Sequence, residues 1–530
     1  MPKCTIDGKE IEVPPGTNLL KFALDNGIDI QHFCWHPDLA IDGNCRTCMV
    51  EIEKMPKLQI ACNTVITEGM VVHTNSPKAR EAQRSALEFL LINHPIDCPV
   101  CDQAGECYLQ DYYMVYGLYG SKVELESKVR KRKIVDLGPI MLDQERCVLC
   151  SRCLRFEKEV TGTNSLEFAA RGDEVRIRSF EDRPITHDYA LNLAEVCPVG
   201  ALLNHDFRFK MRVWFLTPYE SVCPGCSTGC NEWVDERDGA VPRVRPRRNP
   251  DVNKSWMCDP GRNLYKLIGA VPRLARARVR AGSSWRDADL RDALDRVAAA
   301  LQDAGPASAF LATPQGTNED AYAFKALADA AGGRLDFRVG DPQKRVRERI
   351  DDVLQRADRN PNTQGCLDLG LGRDGVQAIL DACRAGEIKL LVLQGPEVLR
   401  VPDAVEAVAK VPFVAVMATH EAAELERATV VLPAALWVEY EGTFTNYQRR
   451  VQRTKRAVPA PGEAQPRWEL AAGLLARLGR PLGAATAREV FALVAKATPD
   501  YGALDYKAIG FQGRALPLAE AKEPVQEARA

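Results

Sequence analysis

Apolar and polar positions alternate in short runs through about residue 80, the period of half-buried strands. Two such runs flank Asp7-Gly8, a dipeptide suited to the positive φ angles of a tight hairpin turn. Thr17 as N-cap and Gly27 just past the end predict a helix from Leu19 to Asn26. Met49-Val50-Glu51-Ile52-Glu53 alternates as a strand. From Ala79 to Ile92 the spacing turns helical, with Ala82, Ala86, Phe89 and Leu90 recurring. Asn231 to Val244 alternates again around Asp238-Gly239, a second hairpin. Beyond residue 272 the pattern changes. Mostly apolar runs at Ala307 to Ala312, Leu390 to Leu393, Phe413 to Met417 and Thr429 to Leu432 read as buried strands. Helical stretches at Asp320 to Ala331 and Gly375 to Arg384 lie among them, which is α/β alternation.

A chain of 530 residues exceeds one domain, and roughly 150 residues per domain suggests three or four. A net charge of −2 gives no global electrostatic case for nucleic acid or anionic membrane. No apolar run approaches the ~20 residues that cross a bilayer. The start, Met1-Pro2-Lys3-Cys4-Thr5-Ile6, has no charged-then-apolar leader. The expectation is a soluble protein in a reducing compartment.

Cysteine changes the picture. Fifteen of the eighteen cysteines fall between Cys34 and Cys258, in four spaced groups. The first is Cys34, Cys45, Cys48 and Cys62, one Cys-x2-Cys pair with two distant singles. It is similar to the plant-type [2Fe–2S] arrangement, with a longer first interval; a zinc site would favour two pairs. Gly43 precedes Cys45 where a loop around a cluster needs unusual backbone angles. The second is His94, Cys98, Cys101 and Cys107. The histidine stands beside a three-cysteine run that lacks another nearby fourth donor, so a [4Fe–4S] cluster on one imidazole and three thiolates closes the count; zinc on the same four donors is the alternative. The third is Cys147, Cys150 and Cys153 with Cys197-Pro198, the bacterial ferredoxin signature, here with ligands for one cluster. The fourth is Cys223, Cys226, Cys230 and Cys258, a further complete [4Fe–4S] set. Cys4, Cys366 and Cys383 read as structural thiols.

The order of these four groups resembles the large iron–sulfur subunit of bacterial NADH:quinone oxidoreductase, respiratory complex I, densely over residues 1 to about 270. The resemblance implies a multidomain α+β then α/β architecture. Its parts are a β-grasp [2Fe–2S] ferredoxin-like domain (1–80), a [4Fe–4S] domain with one histidine and three cysteine ligands (81–120) and a [4Fe–4S] ferredoxin-like domain (121–215). A molybdopterin-oxidoreductase-type [4Fe–4S] domain (216–272), a degenerate α/β domain of that kind (273–515) and a disordered tail (516–530) follow. It implies one [2Fe–2S] and three [4Fe–4S] clusters relaying electrons from the NADH-oxidising flavin subunit toward quinone, coupled to proton translocation by the whole complex. The fourth cluster matches one that some bacterial members carry off the main path. Implied partners are the flavin/NADH-binding subunit, small iron–sulfur subunits and quinone-module subunits, with no nucleic acid. The implied place is the bacterial cytoplasm, peripheral on the inner membrane and held there only through partners.

Glu441-Gly442-Thr443-Phe444-Thr445-Asn446 and Arg450-Val451-Gln452-Arg453 look like a stretch shared by molybdopterin-oxidoreductase domains. The chain is several hundred residues shorter than such catalytic subunits, so neither molybdenum nor substrate chemistry is expected, and no residue is assigned as acid, base or nucleophile. Gly370-Leu-Gly372-Arg-Asp-Gly375 matches a dinucleotide fingerprint literally but follows loop sequence rather than a clear strand. The run Lys128 to Lys133 reads as a solvated face. Rival readings are the iron–sulfur subunit of an NAD-linked hydrogenase or formate dehydrogenase, a catalytic molybdoenzyme, and a structural zinc protein.

Overall fold

The computed structural model describes residues 1–117, 128–282, 284–337, 348–400 and 402–517. The chain divides into two compact units, Met1–Leu216 and Thr217–Ala530.

The first unit opens with five strands: β1 (Lys3–Ile6), β2 (Lys9–Glu12), β3 (Met49–Ile52), β4 (Gln59–Ile60) and β5 (Met70–His73). They form one mixed sheet in the order β2-β1-β5-β3-β4, with β1 parallel to β5 and antiparallel to β2. Asp7 and Gly8 turn that hairpin at φ of 46° and 82°. Helix α1 (Leu19–Asp25) buries Leu19, Leu20 and Ala23 in a core with Ile6, Val50 and Val72. Its N-cap is Asn18, not Thr17: the Asn18 side chain accepts from the Lys21 N–H, while the Thr17 hydroxyl donates back to Pro14. At the other end Gly27 takes φ of 74°, and Gly27 and Ile28 N–H groups satisfy the Leu24 and Ala23 carbonyls.

Helix α2 (Pro77–Leu91) is capped by Ser76. Its buried face is Ala79, Gln83 and Leu87, while Phe89 is 75% exposed. The expected apolar face is therefore rotated. Gln83 can face inward because its amide donates to the Met49 and Thr74 carbonyls, ends that the neighbouring strands leave open. Helix α3 (Tyr108–Tyr116) buries Leu109, Tyr112 and Tyr116. The remainder of the unit is a small antiparallel sheet of Val135–Asp136, Ile140–Leu142 and Leu202–Asn204, a hairpin of Leu166–Ala169 and Arg176–Ser179, and two short helices, Arg152–Phe156 and Asn192–Val196.

The second unit starts with a three-stranded antiparallel sheet, Thr217–Val222, Asn231–Arg237 and Ala240–Pro246. Asp238 and Gly239 turn its hairpin with positive φ. The larger part is a seven-stranded sheet. Arg334–Phe337, Ser308–Ala312, Leu390–Leu393, Phe413–Ala418 and Val430–Pro433 lie parallel in that order, and the hairpin Ala277–Ala281/Ser284–Ala288 joins antiparallel at the edge. Helices Leu290–Ala304, Asn318–Ala331 and Arg467–Arg477 pack on one face through Val297, Phe324 and Leu474, and Val376–Arg384 on the other through Ile379. The glycine motif at 370–375 follows a helix, Thr363–Asp368, and the Asp336 carboxylate accepts the Arg373 and Gly375 N–H groups, so its own chain uses the amides a phosphate would need. Leu516, where the composition places the start of the tail, is buried; residues 518–530 lie outside the described residues.

Candidate metal centres

The loop between α1 and β3 carries Cys34, Cys45 and Cys48, and a single turn after β4, Ala61–Asn63, returns Cys62 to them. Cys34 and Cys45 sulfurs lie 3.3 Å apart. Hydrogen bonds from the Cys45 and Cys62 thiols hold Cys34 well below the ordinary thiol range, and Cys62 in turn bonds Cys48, so the four sulfurs form one chain of contacts. Gly43 and Arg46 bend this loop through positive φ.

His94 stands two residues past the α2 C-cap, Cys98 begins a single turn, and Cys107 is the N-cap of α3. These three and Cys101 line one cavity of about 660 Å³. Burial pushes the His94 imidazole down to about 4, against Asp97 and helped by Lys128 and Arg146, so it is neutral and able to donate a lone pair. The Lys128 ammonium donates to the His94 carbonyl and, at 3.1 Å, to Leu91. Lys131 donates to Val175 and Lys133 pairs with Asp97. The basic run is thus partly spent on this site's wall rather than wholly solvated.

Cys147 and Cys150 sit on a loop that passes through positive φ at Leu149 and Ser151, and Cys153 lies in the first turn of the helix that begins at Arg152. Cys197 follows the helix Asn192–Val196, and all four line a small apolar cavity with Leu142, Ile177 and Leu202. In the second unit, Cys223, Cys226, Cys230 and Cys258 line another, closed by Leu354 and Arg359.

Burial raises these thiols: Cys107, Cys147 and Cys258 to about 12, Cys150 to about 11. Such groups become thiolates only beside a compensating cation, which is what an iron–sulfur cluster provides. Glycines keep space beside the sulfurs. A Cβ on Gly200 would lie 2.2 Å from the Cys101 sulfur, and one on Gly261 3.0 and 3.2 Å from Cys223 and Cys258. Cavities lined by four cysteines, with glycines keeping side-chain bulk away from the sulfurs, fit multi-atom clusters.

Links run between groups of the first unit. The Arg155 guanidinium donates to the carbonyls of Cys34 and Cys150, and Ser151 donates to Asp42. The Cys197-Pro198-Val199-Gly200 loop reaches the second group: besides Gly200 against Cys101, the Pro198 carbonyl accepts the Tyr108 N–H beside Cys107. Sequence reasoning missed Gly200, Arg152 and Arg155, whose only signal was their position beside the cysteine runs, and read Lys128 only as part of a solvated basic run. Cys4, Cys366 and Cys383 are buried outside the four groups.

Family models match nearly the whole of this framework. A 2Fe-2S iron–sulfur cluster binding domain covers 3–77, the NADH-ubiquinone oxidoreductase-G iron–sulfur binding region 83–122, and the ferredoxin-like domain of NADH-quinone oxidoreductase subunit 3 covers 138–203. A molybdopterin oxidoreductase Fe4S4 domain matches 217–269 and a molybdopterin oxidoreductase model 354–477. The G subunit of NADH-quinone oxidoreductase from Streptomyces coelicolor is 39% identical over 340 residues, 63% of this chain and 40% of that protein. The chain resembles that G subunit. The mitochondrial NADH-ubiquinone oxidoreductase 78 kDa subunit of Candida albicans is 36% identical over 61% of this chain and 45% of its own length. The chain therefore spans less than half the length of the curated relatives it matches. A chain of an NAD+-reducing [NiFe]-hydrogenase shares 30% identity over 40% of this chain and 91% of that one, at a TM-score of 0.37. No described helix is long and apolar enough to cross a membrane.

Proposed function

We propose that this chain is the electron-relay subunit of an NADH:quinone oxidoreductase, peripheral on the cytoplasmic side of a bacterial inner membrane. Its partners would be a flavin subunit that oxidises NADH and iron–sulfur and quinone-module subunits that accept the electrons. Cys34, Cys45, Cys48 and Cys62 would hold a [2Fe–2S] cluster. Tetranuclear clusters would be held by His94 with Cys98, Cys101 and Cys107, by Cys147, Cys150, Cys153 and Cys197, and by Cys223, Cys226, Cys230 and Cys258. When bound, such clusters supply one-electron redox steps. The protein's part is to hold each group, exclude water and fix the spacing. One observation carries the reading: three thiol groups of one unit are joined by direct hydrogen-bonded links, first to third through Arg155 and third to second through Pro198.

Iron and sulfide quantification with EPR on the reduced protein tests it. About 14 iron atoms per chain are expected from these cluster types, with one binuclear and up to three tetranuclear signals. A colourless protein carrying zinc and no iron would overturn the proposal.

A further inference from the structure

Arg152 lies between the second and third cysteines of the third group and is 3% exposed. It lines the cavity of Cys147, Cys150, Cys153 and Cys197. One guanidinium nitrogen donates to the Trp35 carbonyl at 2.6 Å, beside Cys34 of the first group. The other donates at 3.4 Å to Val196, beside Cys197. Its carbon stands 5.1 Å from the centre of the Tyr108 ring, beside Cys107 of the second group. One side chain thus touches the immediate neighbour of a ligand in each of three groups.

Its charge is also unusual. Nearby Arg146 is similarly buried but pairs with Asp97 and Asp143. Among the described residues Arg152 pairs with no carboxylate, and its Nε–H is buried without an acceptor. A buried unpaired cation is costly unless negative charge stands near it. With a cluster bound, the thiolates of Cys147, Cys150, Cys153 and Cys197 would supply that charge.

We propose that Arg152 is a positioning residue shared by three groups: its buried cation makes the third-group cluster easier to reduce, and its hydrogen bonds and ring contact hold the other two groups against it. The proposal rests on the cluster reading above. Each reduction adds one electron and one negative charge to a cluster; no bond forms or breaks, and Arg152 keeps its proton. The added charge is stabilised by a cation in a low-dielectric site.

The test is an EPR redox titration of the full-length cluster-loaded protein with dithionite as reductant. R152Q should keep iron and sulfide while the third-group centre becomes harder to reduce. At the midpoint of the unsubstituted protein its reduced-to-oxidised ratio should fall roughly tenfold, about 59 mV for one electron. R152K keeps the charge but lacks the planar fork that reaches two carbonyls. It should hold the midpoint while magnetic coupling between centres weakens. An unmoved midpoint in R152Q with full iron content would overturn the assignment, as would an equal shift in R152K. Should R152Q lose the third centre, R152K decides: a retained centre at the normal midpoint supports the role, and its loss refutes it. Absence of iron–sulfur signals from the unsubstituted protein would instead refute the cluster reading itself.

Discussion

Glu319 is fully buried at the start of the helix Asn318–Ala331, accepting from the Thr443 N–H and the Tyr506 hydroxyl. Burial raises its carboxyl from 4.5 to about 7, more than these bonds lower it. Between those values the folded chain keeps a proton that the unfolded chain releases, so stability falls as pH rises through that window. The loss is on the order of 3 kcal/mol at full titration. Urea unfolding of the second unit at pH 5 and pH 8 should show it, and Glu319→Gln should shrink the difference, leaving the part contributed by Glu232, which burial also raises to about 7. His94 makes a different prediction. Replacing it by cysteine adds a negative ligand and should lower the second centre's potential in a redox titration. If His94→Ala left every cluster signal and potential unchanged, the imidazole would not be a ligand. Spacing grouped the cysteines and the donor count added His94, and the structure brings the second, third and fourth sets each to one cavity. Gln83 and Arg152 were not readable, because a polar residue is given away only by the carbonyls it meets in the folded chain.

Helices and strands show the same division. The mostly apolar runs gave the central parallel strands because strands buried on both faces need no alternation. The hairpin at Ala277–Ala281 and Ser284–Ala288 escaped notice because Arg278, Arg280, Arg286 and Asp287 make an edge look like loop. Helix α2 was readable as a helix but not by its face, since Phe89 points out and Gln83 in. Its end carries His94 into the second site, so its stability matters there. Ser76→Ala removes the N-cap and should cost about 1 kcal/mol, whereas Leu87→Ala, 1% exposed, should cost about 2–5 kcal/mol. Thermal unfolding of the loaded protein would rank the two.

The two units differ in what holds them. The second is built around a seven-stranded sheet with extensive apolar clusters on both faces. The first has an apolar core in the N-terminal sheet and further buried apolar side chains such as Ile140, Phe156, Leu193 and Leu202, but it also carries three of the four cysteine groups, whose thiols line two of its cavities or join in one chain of contacts. Binding energy of metal to such thiols counts as folding energy. Removing iron with a chelator under reducing conditions should therefore lower the first unit's calorimetric transition sharply and shift the second unit's main transition little. Similar losses in both would contradict this division.

The four residues from Cys197 to Gly200 form a wall common to two sites, with a thiol turned to one and a bare backbone pressed on a sulfur of the other. Iron lost from the third group would free that loop and bare Cys101 to oxygen. Damage would then spread from one site to its neighbour, and repair would have to rebuild both before the wall could close.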